Sequence, residues 1–252
     1  MPLPTIDELL KAGVHFGHKT SKWHPSMGDF IFGERRGVHI INLKKTLKNL
    51  ERALHFITQT VTGGGKVLIL GTKKQAQSKV LEVAASAGMP FITTKWIGGT
   101  ITNWPIIKRQ ILKLKKTREE KERGEWQKYT KKERVVLQRE LENLLEKYGG
   151  IETMDNPPDA LFIVDCKESK TAISEALSKS IPIIAICDTN VDVRKIDYPI
   201  PANDDAIKSI NLILELLEET ILQAQGKLLE KPQELSPEEA LESSAEALKA
   251  ED

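Results

Sequence analysis

The residues of this chain best suited to chemistry are four aspartates and one histidine. Asp165 and Asp188 each follow an apolar run of strand character, Asp204 and Asp205 precede a long amphipathic run, and His18 sits in a stretch rich in His, Gly and Lys. Residues that follow parallel strands collect at one end of an α/β sheet. His18, Asp188, Asp204 and Asp205 could therefore converge and hold zinc or magnesium through three carboxylates and one imidazole. Taken one at a time, the same aspartates are helix caps and turn formers. His15 and His18 alone supply two nitrogen ligands where zinc needs three or four. Cys166 and Cys187 end apolar runs and read as small buried thiols, too few for a cysteine knuckle.

Other chemistries find less support. Gly63-Gly64-Gly65-Lys66 has lysine after glycine, but Val67 follows and the glycines precede a strand, so the run reads as a helix stop and not a phosphate loop. Gly71-Thr72-Lys73-Lys74-Gln75 lacks the glycine spacing that admits a pyrophosphate. Lys73 and Lys74 at that helix start suit either a nucleic-acid phosphate or a solvated turn. No Gly-x-Ser-x-Gly elbow occurs, and no serine or cysteine is tied to a histidine by a recognised spacing.

The elements that must position these residues are legible from periodicity. Thr5 caps a short helix over 4–12, with Glu8 three residues on. Residues 13–37 read as irregular and lead into a strand at Val38–Ile41, and Asn42 caps a long helix to Thr60. Val67–Leu70, a helix to Ala87 and Phe91–Thr93 form a βαβ unit. Strands at 160–164 and 183–187, a helix at 169–180, a segment at 198–200 and a final helix from about Asp204 repeat the logic. The fold class expected is α/β, a Rossmann-like, flavodoxin-like parallel sheet with helices on both faces. One globular domain would then take 1–104 and 149–225. Residues 105–148 interrupt it: stripes at Ile107, Ile111 and Leu114 and at Leu137, Leu141 and Leu144 predict an inserted antiparallel coiled-coil hairpin whose stripes pair with each other. Residues 226–252 form an acidic tail rich in Pro, Glu, Ser and Ala, expected to be disordered.

Net charge is +1 over 252 residues, but it is polarised. Residues 1–148 carry 28 Lys and Arg against 14 Asp and Glu, and residues 149–252 carry 9 against 22. Such a split points to a polyanionic partner for the first part, because clustered cations gain from counterion release on phosphates. The longest apolar run, Ile181–Cys187, is far below the ~20 residues needed to cross a bilayer. The first ten residues carry Asp7 and Glu8 and lack a basic start, so no secretory signal is expected, and the protein is expected in the cytoplasm or an equivalent compartment.

Several ordered signatures bear a resemblance: Lys11-Ala-Gly-Val-His-Phe-Gly-His18, Phe30-Ile-Phe-Gly33, Val38-His-Ile-Ile-Asn-Leu43, Gly71-Thr-Lys73, Trp96-Ile-Gly-Gly99, Thr102-Asn-Trp104, Pro158-Asp-Ala-Leu-Phe162 and Asn203-Asp-Asp-Ala-Ile207. From about Ile6 to about Gln225 the chain resembles the bacterial and organellar small-subunit ribosomal protein S2 family. That resemblance implies a structural, non-enzymatic constituent of the small ribosomal subunit, on the ribosome of the cytoplasm or of an organelle. Its implied partners are small-subunit rRNA and neighbouring ribosomal proteins, including ribosomal protein S1, with no membrane and no small-molecule substrate. No cofactor is implied; a structural divalent cation at His18, Asp188, Asp204 and Asp205 stays open.

The rRNA-contact set expected is Lys11, His15, His18, Lys19, Lys22, Trp23, His24, Arg35, Arg36, Lys44, Lys45, Lys73, Lys74, Lys95, Trp96, Asn103, Trp104, Lys108, Arg109, Lys113, Lys115 and Lys116. Two alternatives share parts of this pattern. One is an α/β enzyme using the strand-end carboxylates Asp165 and Asp188; the other is a free RNA-binding regulator that shares the basic face.

Overall fold

A computed structural model describes residues 3–226. The acidic tail expected at 226–252 lies outside the described residues from 227 onward.

The chain opens with helix α1 (Ile6–Lys11), started by a capping box in which Thr5 and Glu8 exchange side-chain bonds with each other's backbone N–H. Next come three short strands, β1 (Phe16–Lys19), β2 (Ile31–Arg35) and β3 (Val38–Ile41), which form an antiparallel sheet in the order β1-β3-β2. Only β3 was expected. β1 and β2 are four and five residues long, each contains a glycine, and a 3-10 segment at Pro25–Phe30 separates them. Their pairing with β3 comes from non-local register, which local periodicity does not carry.

Helix α2 (Leu43–Thr62) starts where the Asn42 side chain accepts from the N–H groups of Lys44 and Lys45, and it stops at Gly63. The main sheet follows: β4 (Val67–Leu70), β5 (Phe91–Ile92), β6 (Ala160–Ile163), β7 (Ile183–Cys187) and β8 (Tyr198–Pro201), all parallel in the order β5-β4-β6-β7-β8. Every residue of β4, β6 and β7 is buried, as expected when both faces are covered. Alternate residues divide between two cores. Val67, Ile69, Phe162, Ile184 and Ile186 pack with α2, α3 (Lys74–Ala87) and, later in the chain, the helix Ile207–Ala224. Leu68, Leu70, Leu161, Ile163 and Ala185 pack on the other face, against α4 (Trp104–Glu122) and the helix Lys170–Ser178.

Helices α4 and α5 (Lys131–Tyr148) are joined by a 3-10 turn at Glu125–Lys128 and run back along each other, with Lys121 bonded to Gln138 and Lys113 paired with Glu140. Leu114, Trp126, Leu141 and Leu144 make a small core between them. Ile107 and Ile111 depart from the expected mutual zipper: they belong to the core of the main body, beside Ile151 and Met154. One stripe thus serves two cores, a division that spacing along a single helix cannot reveal. The remaining helices are α6 (Lys170–Ser178) and α7 (Ile207–Ala224). α7 begins three residues after Asp204, because the Asn203 carboxamide oxygen accepts from the N–H groups of Asp205 and Ala206 and holds a turn ahead of it.

Candidate functional site

The parallel sheet delivers the acidic residues to one place. Asp165 follows β6, Asp188 follows β7, and Asp204 and Asp205 follow β8. Lys73 lies between β4 and α3, and His18 enters from β1 of the small sheet. His18 Nδ1 is 3.1 Å from Asp188 Oδ2, and His18 Nε2 is 3.4 Å from Asp205 Oδ2. The Lys73 ammonium lies 2.8 Å from Asp205 Oδ1, 2.9 Å from Asp204 Oδ1 and 3.4 Å from Asp165 Oδ2. Thr189 fixes the approach of β1: its hydroxyl accepts from the His18 N–H at 2.9 Å, and its carbonyl accepts from His24 N–H. A Cβ on Gly17 would fall 2.6 Å from Thr189 Cγ2, so only glycine allows the small sheet to seat this closely.

Ligand atoms of His18, Asp188 and Asp204 lie within 4.8 Å of one another. Asp205 is more exposed and turns its oxygens to Lys73 and His18. Three carboxylates around Lys73, with Asp188 beside His18, leave an excess of negative charge in the cluster. Burial, then the neighbouring Asp188 carboxylate, push Asp204 up to about 7, against the pull of Lys73. The hydrogen bond to Asp188 raises His18 despite its burial. Burial disfavours the charge on Lys73, but its bonds to Asp205 and Asp204 outweigh that and hold the ammonium well above the ordinary lysine range. Cys166 and Cys187 are both buried and free; the neighbouring Cys187 thiol, together with burial, pushes Cys166 up, which leaves an unreactive thiol.

The expected nucleic-acid contacts divide by environment. Lys11, Lys19, Lys22, Trp23, Arg35, Arg36, Lys44, Lys45, Lys74, Lys95, Asn103, Lys108 and Arg109 are exposed. Among the described residues none of these cations forms an ion pair, although Lys45 donates to the Asp29 carbonyl and Lys108 to the Asp155 carbonyl at 3.0 Å. Lys113 and Lys116 are exposed but paired, with Glu140 and Glu120, and Lys115 is half-buried. His15, His18, His24 and Lys73 are half-buried; His24 Nδ1 bonds the Ser26 hydroxyl at 2.8 Å, and Lys73 is occupied by carboxylates. Trp96 and Trp104 are buried core residues, their indole N–H groups donating to Glu175 and to the Asp155 carbonyl.

Sequence reasoning missed Glu175. It lies on α6, only 7% exposed, and its carboxylate gathers the loop before α4. A lone glutamate on an amphipathic helix gives no signal of that, because its partners, most of them backbone groups, lie about 75 positions earlier.

The ribosomal protein S2 family model matches residues 9–224, most of the chain and nearly all of the described fold. The chain belongs to the ribosomal protein S2 family. S2 family members are structural, non-enzymatic constituents of the small ribosomal subunit, so the chain is a ribosomal protein that takes part in translation as part of a ribonucleoprotein. In this S2 family chain no described helix is long and apolar enough to cross a membrane.

Proposed function

We propose that this chain holds its place on the small subunit by binding rRNA through the small antiparallel sheet and the start of α2. The observation that carries this reading is the unpaired state of Lys19, Lys22, Arg35, Arg36 and Lys44, all exposed and without a carboxylate partner among the described residues. Cations not neutralised within the fold are the ones that gain most from counterion release on a phosphate backbone. Binding of the full chain to small-subunit rRNA across a salt series tests it; affinity independent of salt would refute it.

The exposed Phe16 and Phe32 favour a protein neighbour on the same sheet. Phe32 is 78% exposed, and Phe16, Val38 and Ile40 line a shallow apolar groove edged by Arg35 and Arg36. Such a surface suits an apolar, acidic-flanked peptide, and we assign it to docking of a neighbouring ribosomal protein such as S1. Residues 1–104 and 149–225 form the body in this reading, joined by Ile107 and Ile111 at the root of α4, and the rest of 105–148 a coiled-coil arm.

A structural divalent cation at His18, Asp188 and Asp204 has one observation in its favour. One imidazole and two buried carboxylates bring ligand atoms within 4.8 Å of one another. A cation there would tie the small sheet to the body, sharing Asp204 with Lys73.

A further inference from the structure

The loop Trp96–Asn103 must carry the chain from the edge strand β5 into α4, and much of it is buried: Thr100 is 1% and Ile101 2% exposed. Its turns leave several N–H groups pointing inward without a backbone partner, and buried donors have to be satisfied. One side chain does this. Glu175 Oε1 accepts from Trp96 Nε1 at 3.0 Å and from Gly99 N–H at 2.8 Å. Oε2 accepts from Ile101 N–H at 3.0 Å, from Thr102 N–H at 3.1 Å and from the Thr102 hydroxyl at 3.1 Å. All five partners are neutral donors from this one loop. A carboxylate in such a cradle makes charge-assisted bonds to every one of them and is a stronger organiser than a salt bridge to one mobile lysine.

The geometry points to Glu175 as the positioning residue that sets the direction in which α4 and α5 leave the body. α4 starts at Trp104, two residues after the last donor, so the loop sets where the root of the helix, with Ile107 and Ile111, meets the body core. Trp104 Nε1 and Lys108 Nζ, both on the Asp155 carbonyl, the buried Ile107 and Ile111, and the two-bond pair of Arg118 with Glu152 tie α4 to the body along its length, and Glu175 fixes it at its origin. A functional consequence rests on the arm reading given above: a misdirected arm would meet the small subunit poorly although every arm residue is intact.

Glutamine at this position is nearly isosteric but turns an NH₂ group toward N–H donors. The test uses the free full-length protein with spin labels at Gln127→Cys, on the turn between α4 and α5, and at Ser86→Cys, on α3; the native cysteines are buried. Glu175→Gln should broaden the label-to-label distance distribution and speed hydrogen exchange at Gly99, Ile101 and Thr102 about tenfold or more. Ile173→Val, a packing change in the same helix, serves as the structural control and should leave both readouts as in the parent. Should Glu175→Gln fail to fold, Thr102→Val and Trp96→Phe each remove one donor from the cradle and should broaden the distribution in smaller steps. A distribution as narrow as the parent's in the folded variants would overturn the inference, as would equal broadening by Ile173→Val. Co-sedimentation of the parent with small subunits is measured separately: its failure would count against the arm reading and leave the distance result standing.

Discussion

The Lys73 ammonium lies 2.9 Å from Asp204 Oδ1, and through that contact the βα turn most reminiscent of a nucleotide site is closed to phosphate. The same nitrogen reaches Asp165 and Asp205, so one lysine ties together the ends of β4, β6 and β8. Lys73→Met should leave three carboxylates without their internal cation and destabilise the fold by about 3 kcal/mol or more, as removal of one partner from a buried ion pair does. Thermal melts at pH 8 check the loss. Millimolar zinc or magnesium should recover part of it if the cation reading is right, and no recovery with either ion would remove that reading.

Asp204 gives a second expectation, with a defined pH window. Its ordinary value is 3.8, and in the fold it is raised to about 7. Between those values the folded state holds a proton that the unfolded chain has released, so this group lowers stability progressively as pH rises from about 4 to about 7. Asp204→Asn cannot ionise. Its stability relative to the parent should therefore grow across that window and level off above it. The raised His18 adds a loss of stability with rising pH in both proteins, so the comparison is the difference between their curves and not either curve alone. A difference that stays constant from pH 4 to 8 would mean that Asp204 ionises normally in the fold.

Much of this was legible from residue order, for identifiable reasons. The central strands β4, β6 and β7 announce themselves because each is an unbroken apolar run, and Asn42, Thr5 and Gly63 punctuate the helices by local hydrogen bonding that sequence carries directly. That Asp165, Asp188 and Asp204 gather at one end of the sheet is readable, since residues after parallel strands share that end, whereas His18 reaches them from β1, whose place depends on non-local pairing. Lys73 was read as a phosphate ligand or a solvated turn because its three carboxylate partners are 92 to 132 positions away. β1 and β2 were missed for a related reason: what makes them strands is β3. The cradle of Glu175 lies beyond sequence reading altogether, because three of its five donors are backbone groups whose orientation exists only after the loop is folded.

The division of the α4 stripe between two cores moves the point at which the helix pair can be cut. Replacing Ile106–Lys147 by a turn would remove Ile107 and Ile111 from the body core, and Ile111→Ala alone should cost about 2–5 kcal/mol. Excising Lys115–Arg139 instead joins the chain near Lys113 and Glu140, which are already paired across the two helices. Loop closure depends weakly on length, at ~0.6 kcal/mol per doubling, so the shorter excision should leave cooperative unfolding of the body intact. Loss of cooperativity in that variant would mean that the Leu114, Trp126, Leu141 and Leu144 core supports the body after all.

The distribution of unpaired cations yields a contrast in salt dependence. Lys44 and Lys45 sit at the exposed start of α2, and neither is neutralised by a carboxylate among the described residues. If both face phosphate, Lys44→Gln with Lys45→Gln should weaken rRNA binding and flatten the slope of log affinity against log salt by about one to two units. Lys113 and Arg118 are the matched comparison, because Glu140 and Glu152 already hold their charges within the fold. Lys113→Gln with Arg118→Gln should lower thermal stability, chiefly through the two-bond Arg118 pair, while changing the salt slope by well under one unit. Filter binding of both double variants to the same small-subunit rRNA, from low to moderate salt, separates the two effects. Equal flattening by the two pairs would mean that net charge alone governs binding, and the small sheet with α2 would lose its claim to be the RNA-facing surface.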